Sequence, residues 1–161
     1  MAVNDAWSRA DWQAARAVVS DSIFQTQRYW LEAYERQGLR NLVEGARVTK
    51  IELAKIESDK YFDAITVRVF ATGLDFTIDL RTNAVVSGVR DRPRDYSEYW
   101  TFIRSVTAPT VDLAKPKQCP QCGADLAINQ SGECRYCRAH VTSGEFDWVL
   151  SRIEQDDAYL G

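Results

Sequence analysis

The chain has 161 residues, 45% hydrophobic and 11% aromatic, enough for one domain with a small satellite and a core that needs no staples. Twenty Lys and Arg against 23 Asp and Glu give a net charge of -3, which argues against a general nucleic-acid binder with a basic face. Four Cys and one His exclude most His-dependent catalysis and any metal site needing two imidazoles. They also exclude a disulfide framework, since every Cys lies within residues 119–137.

In chain order, residues 5–38 read as helices. Ser8 and Asp11 resemble a capping box that opens a short helix through Val19. Ser20, Asp21 and Ser22 offer a second N-cap, after which Ile23, Phe24, Trp30, Leu31 and Tyr34 recur at helical spacing up to a stop at Gly38. From about Arg47 the period becomes two. Residues 47–57 carry Val48, Ile51, Leu53 and Ile56, with one slip of parity that marks a bulge. Residues 61–71 and 74–81 follow as strands, then a turn at Thr82-Asn83 and a strand over 84–89. A polar loop, Arg90–Asp95, precedes a last strand over 96–105. Short connections between alternating strands imply an antiparallel meander, and the helices ahead of it give an α+β domain over residues 1–108.

Residues 109–117 read as a linker and 118–142 as a metal ribbon, while 143–161 read as an amphipathic C-terminal helix. In that last segment Thr142 and Glu145 resemble a capping box, and Phe146, Val149, Leu150 and Ile153 form one stripe. The stripe needs a partner surface, either the main domain or a neighbouring subunit, so a homo-oligomer is an open expectation.

The chemistry lies in Cys119-Pro120-Gln121-Cys122 and Cys134-Arg135-Tyr136-Cys137. A C-x2-C turn brings two thiolates to one ion, and two such turns supply the four soft ligands that tetrahedral zinc prefers. Gly123 allows the first turn a positive φ. A thioredoxin-like pair requires one C-x2-C opening a helix, which polar, turn-rich sequence does not offer. Iron shares the four-Cys spacing, so spacing alone does not choose the metal. The reading taken is one structural zinc on Cys119, Cys122, Cys134 and Cys137, with His140 outside the ligand set. Four protein ligands leave no open position for substrate.

Other features are weaker. Arg90, Arg92 and Arg94 alternate with Asp91 and Asp95 and read as a solvated loop, with an anion or lipid head group as the sharper alternative. Asp63, Asp75 and Asp79 read as outward strand residues, with an acid–base cluster as the alternative. Trp30, Tyr34, Phe76 and Trp100 are candidate pocket-lining residues, with plain core as the alternative. Lys115, Lys117, Arg135 and Arg138 are what favours a nucleic-acid partner, against the overall charge. No catalytic residue is assigned, because the sequence holds no catalytic triad, phosphate loop or nucleophile elbow.

No run of about 18–20 apolar residues occurs, and Met1-Ala2-Val3-Asn4-Asp5 lacks the features of a signal peptide, so a cytoplasmic chain is expected.

Four stretches carry a resemblance: Tyr34-Glu35-Arg36-Gln37-Gly38-Leu39-Arg40-Asn41, Ser58-Asp59-Lys60-Tyr61-Phe62-Asp63, Tyr99-Trp100-Thr101-Phe102-Ile103-Arg104 and Ser143-Gly144-Glu145-Phe146-Asp147-Trp148-Val149-Leu150. Together they resemble a bacterial member of the family defined by the C-terminal domain of the mitochondrial inner-membrane import-motor scaffold, some members of which carry a zinc-ribbon tail. The resemblance implies a cone similar to nuclear transport factor 2, with helices on a curved antiparallel sheet and a pocket between them. It further implies a non-catalytic module that tethers protein partners and associates peripherally with the inner membrane, where lipid is a second partner. The alternative is a small-molecule-binding protein or enzyme using an apolar pocket.

Overall fold

The computed structural model describes residues 2–108 and 118–161, so the expected linker at 109–117 lies outside the described residues. Helix α1 is Ala2–Ser8, a 3-10 turn covers Trp12–Ala15, and α2 is Asp21–Arg36. Four strands follow: β1 Leu39–Ser58, β2 Phe62–Asp79, β3 Val85–Ser105 and β4 Val149–Gln155. They form one antiparallel sheet in the order β1-β2-β3-β4. The architecture is α+β, as expected.

Helix α2 obeys its sequence. The Ser20 side chain accepts from the Ile23 amide at 3.4 Å, and Gly38 stops the helix with φ +68°. The first helix does not. Ser8 closes α1 instead of opening a helix to Val19, and its hydroxyl exchanges hydrogen bonds with the Val43 backbone on β1. Asp11 makes no side-chain cap. A capping-box pattern is local, and here a contact to β1 takes the Ser8 hydroxyl that a cap requires.

The strands are longer than alternation alone predicts. Residues 61–71 and 74–81 merge into β2, which carries Gly73 where the backbone of Ala46 would lie 3.0 Å from an added Cβ. The expected loop Arg90–Asp95 lies inside β3. Asp75 pairs with Val89 and Gly73 with Arg94, so Arg90 to Pro93 bow out as an enlarged bulge within a continuous strand. Strand β1 slips register three times, between Glu44 and Arg47, Val48 and Lys50, and Leu53 and Lys55. The turn at Thr82-Asn83 stands as read: the Asp79 carboxylate accepts from the Arg81 and Thr82 amides and Asn83 takes φ +58°.

The largest correction is at the C-terminus. Residues 149–155 are strand β4, not part of a helix. Val149 and Leu150 are adjacent and both 2% exposed, which one apolar helix stripe does not require but a doubly covered strand does. On one side β4 pairs with β3, Phe102 opposite Leu150 and Ile103 opposite Val149. On the other, the Leu150 amide donates to the Val18 carbonyl (3.0 Å) and the Ser20 amide to the Leu150 carbonyl (2.8 Å). Nor do Thr142 and Glu145 form a cap, because the Thr142 hydroxyl donates to Asp21 (3.2 Å). Backbone groups waiting on two neighbouring segments outweigh a helical apolar period.

The core joins both ends of the chain. Ala6, Trp12, Ala15, Val19, Ile23, Phe24 and Leu150 form one buried cluster, flanked by Trp100, Phe102 and Ile153 from the sheet. Among the described residues no helix is long and apolar enough to cross a membrane.

Candidate metal centre

Residues 118–142 fold as two matching knuckles. The Gly123 amide donates to the Cys119 carbonyl (2.8 Å), and the Arg138 amide to the Cys134 carbonyl (3.0 Å). Cys119 and Cys134 in turn donate their amides to the carbonyls of Ala124 (2.7 Å) and Ala139 (2.8 Å). Each turn ends on a left-handed residue four places after its first Cys: Gly123 with φ +72° and Arg138 with φ +64°. Sequence reading found only the glycine. The equal spacing from the second Cys pair is the signal that locates Arg138.

The four sulfurs converge. All lie within 4.8 Å of one another, with Cys119 Sγ 3.8 Å from Cys137 Sγ and Cys122 Sγ 4.0 Å from Cys134 Sγ. Disulfides, at about 2.05 Å, are excluded by these separations. Tetrahedral zinc with bonds of about 2.3 Å spaces its sulfurs about 3.8 Å apart, so the donor set fits such an ion. The same sulfur spacing would also suit another thiophilic metal, so the cluster could hold a metal ion without fixing which element. The amides of Cys137 and Tyr136 hold the Cys134 thiol down at about 7. For Cys137 the Ala139 amide acts downward, yet burial and the three neighbouring thiols push it up to about 12. The neighbouring thiols thus oppose ionisation of Cys137, and a cation among the sulfurs would relieve that opposition. Cys119, Cys134 and Val141 are buried, with Leu126, Ile128 and Phe146 packed around them.

His140 stands outside the cage. Its Nε2 lies 3.1 Å from the Asp21 carboxylate at the start of α2. That carboxylate is the centre of a dock that sequence reading missed. The Arg16 side chain is 1% exposed; its Nε donates to the Gln130 carbonyl (3.0 Å) and Nη1 to the Val19 carbonyl (2.9 Å), while Nη2 pairs with Asp21. The Arg16 guanidinium also lies 4.8 Å from the centre of the Phe24 ring. Gln13 donates to the Ile128 carbonyl (3.1 Å), and Arg28 to the Gln130 side chain (3.3 Å). Burial pushes the Asp21 carboxyl up, but Arg16 and His140 outweigh it and hold it below its ordinary 3.8. Gly132, φ +80°, has no room for a side chain, because a Cβ would strike Thr142 Oγ1 and Arg16 Nη2. Nothing in the sequence of Arg16 marks it as buried. Gln130 and Gly132 of the ribbon, with Val19 and Phe24 of its own domain, close around it.

The remaining candidates disperse. Tyr34 lines a hollow of about 420 Å³ together with Trp12, Phe24, Leu31, Arg9 and Arg40. Tyr34 and Phe76 border a second, of about 320 Å³, whose wall includes Arg92 and Arg94. Trp30 is 52% exposed and Trp100 packs against the main core; neither lines these two hollows. Asp63 faces Arg104, Asp75 pairs with Arg94 at 2.5 Å, and Asp79 holds its turn, so each carboxylate has its own partner. Lys115 and Lys117 fall outside the described residues; Arg135 and Arg138 lie on the ribbon.

Fold and site together define a small α+β domain with a segment of four clustered cysteines that could hold a metal, placed ahead of the last strand of its sheet. The profile of the Tim44-like domain matches residues 1–112, and the chain belongs to that family. No characterised protein gives a significant match. The matched span stops short of the ribbon and of β4, although β4 completes the sheet that the matched span begins.

Proposed function

We propose that the chain is a non-catalytic scaffold module connected with protein transport, whose ribbon carries a structural zinc. The observation that carries this reading is the dock between Arg16, Asp21 and the ribbon, within a Tim44-like domain. A closed cage of four thiolates leaves the metal no site for substrate. Its work is to hold residues 118–142 rigid against the 3-10 turn and α2, so that ribbon and domain offer one continuous surface. The helix-backed sheet with open hollows suits the cone of nuclear transport factor 2, and the family resemblance favours a protein partner and peripheral contact with the inner membrane from the cytoplasmic side. A small-molecule reading has the hollow around Tyr34 in its favour, but charged Arg9, Arg28 and Arg40 on its wall make it less apolar than that reading wants.

Affinity capture with the intact chain, repeated with the Cys119→Ser/Cys134→Ser double variant, tests the scaffold. A partner enriched by the wild type and lost by the variant supports a surface that needs the ribbon. Failure of the wild type to enrich any partner, with turnover of a small molecule instead, overturns it. Elemental analysis finding about one zinc per chain supports the metal; another element in its place overturns the zinc assignment.

A further inference from the structure

The sheet has two edges of different kinds. Beside β4, residues Val18–Ser20 occupy the edge through backbone hydrogen bonds. Strand β1 has only β2 as a strand neighbour among the described residues. Its N-terminal part lies against α1, through Trp7 to Asn41 and Ser8 to Val43, whereas from Lys50 to Glu57 every residue but Glu52 and Lys55 is exposed and those two are half-buried. There Ile51, Leu53 and Ile56 are 60%, 63% and 65% exposed. Apolar side chains alternating with charge on a strand normally mark a covered face. A long exposed edge of this kind is a template for pairing with another strand.

The charges on this edge say which strand. The bulge at Ala54, between Leu53 and Lys55, exchanges the parity of the strand. Before it, Lys50 and Glu52 lie opposite Phe70 and Arg68 of β2; after it, Lys55 and Glu57 lie opposite Thr66 and Ala64, on the same face. Ile51, Leu53 and Ile56, opposite Val69, Val67 and Ile65, share the other face. Now place a second β1 antiparallel to the first, with a two-fold axis between Leu53 and Ala54. Lys50 then meets Glu57 of the other copy, Glu52 meets Lys55, and Ile51 meets Ile56. Every one of these pairs joins residues of like face, which without the bulge would not happen. Opposite charges and apolar pairs directly across an antiparallel pair stabilise it, and like charges oppose it. Within one chain Lys50 already reaches Glu52 (2.5 Å) and Lys55 reaches Glu57 (3.0 Å), so the four charges form a row of alternating sign. Two such rows laid antiparallel make a checkerboard.

We infer that the chain self-associates as a two-fold dimer through β1 residues 50–57, joining two four-stranded sheets into one. The partner is a second copy of this chain. The pairing satisfies the outward backbone groups of both edges and gathers Ile51, Leu53 and Ile56 of each copy into one apolar stripe. Lysines on an edge discourage promiscuous pairing. Here each faces a Glu only in this register, which makes the edge selective.

Light scattering coupled to size-exclusion chromatography of the full chain, over a concentration series, is the test. The wild type is expected to approach twice the 18.3 kDa of one chain. Lys50→Glu/Lys55→Glu makes the row wholly acidic, and Glu52→Lys/Glu57→Lys makes it wholly basic. Each variant alone is expected to run as a monomer with an unchanged circular dichroism spectrum, since exposed pairs contribute little to the fold. Mixing the two is expected to restore the doubled mass, a result that also certifies both as folded. A wild type that stays at one-chain mass throughout overturns the inference. So does a dimer that persists in the all-acidic variant, or a mixture that remains monomeric.

Discussion

The sheet domain and the ribbon are held together by different forces, and the contrast explains how each depends on the other. The domain has a buried cluster from Ala6 to Leu150 that draws on both helices, the 3-10 turn and β4. The ribbon has three buried apolar groups, of which two are metal-ligand candidates. A segment of that size gains little stability from burial, so the metal proposed for its four cysteines would be its main source of cohesion. Yet the ribbon precedes β4 in the chain, and β4 supplies Leu150 to the domain's core. The weaker module therefore stands between the stronger one and its last strand. Arg16 ties them laterally as well, with hydrogen bonds to the ribbon at Gln130 and to the domain at Val19.

The sharpest way to break this contrast is to deprive the four cysteines of the metal proposed for them. Structural zinc in such modules is worth roughly 10–16 kcal/mol in peptides, mostly as folding energy. A chelator, or Cys134→Ser, is expected to abolish amide-exchange protection across residues 118–142 while β1 to β3 stay protected. Protection in β4 is expected to fall in part, because its entry from the ribbon is lost while its pairing to β3 remains. Full protection of the ribbon without metal would remove the distinction between the two regions.

Next in size is Leu150→Ala. Leu150 is 2% exposed and touches elements from both ends of the chain, so a loss of about 2–5 kcal/mol is expected in denaturant unfolding. A loss confined to exchange in the last strand, with an unmoved midpoint, would mean β4 is an accessory to the domain.

Smaller again is Gly132→Ala. Its positive φ and the absence of room beside Thr142 and Arg16 predict a cost above about 1 kcal/mol. The expected signature is faster exchange around Gln130 and His140 with the metal content unchanged, because the dock loosens while the cage survives. Reduced metal content would place the damage in the cage instead.

The smallest effect concerns acid. Asp21 has its carboxyl held below 3.8 in the folded chain by Arg16 and His140. Folding therefore favours the ionised form. Its contribution is fully present above the unfolded value and disappears as the pH falls through the lower folded value. Asp21→Asn is expected to be less stable than wild type near neutrality, and the difference is expected to vanish on descending below pH 3.8. Because Asp21 is half exposed, solvent screening keeps the effect small. A gap that widens in acid would contradict this account of the dock.

Much of this was legible before any coordinates. Ser20, Gly38 and the stripe from Ile23 placed α2. Period-two alternation placed the meander, and the Cys spacing placed the cluster of four cysteines, because helix caps, pleat and C-x2-C turns are properties of neighbours in the chain. What escaped was long-range. Ser8 belongs to Val43 on β1, Arg90–Asp95 belong to a strand because β2 runs beside them, and Arg16 is buried by residues more than a hundred positions away. Above all, residues 149–155 carry a helical period and form a strand. The apolar spacing is a local property that two structures can share. The choice fell to unpaired backbone on β3 and at Val18–Ser20, which only the assembled domain brings to either side.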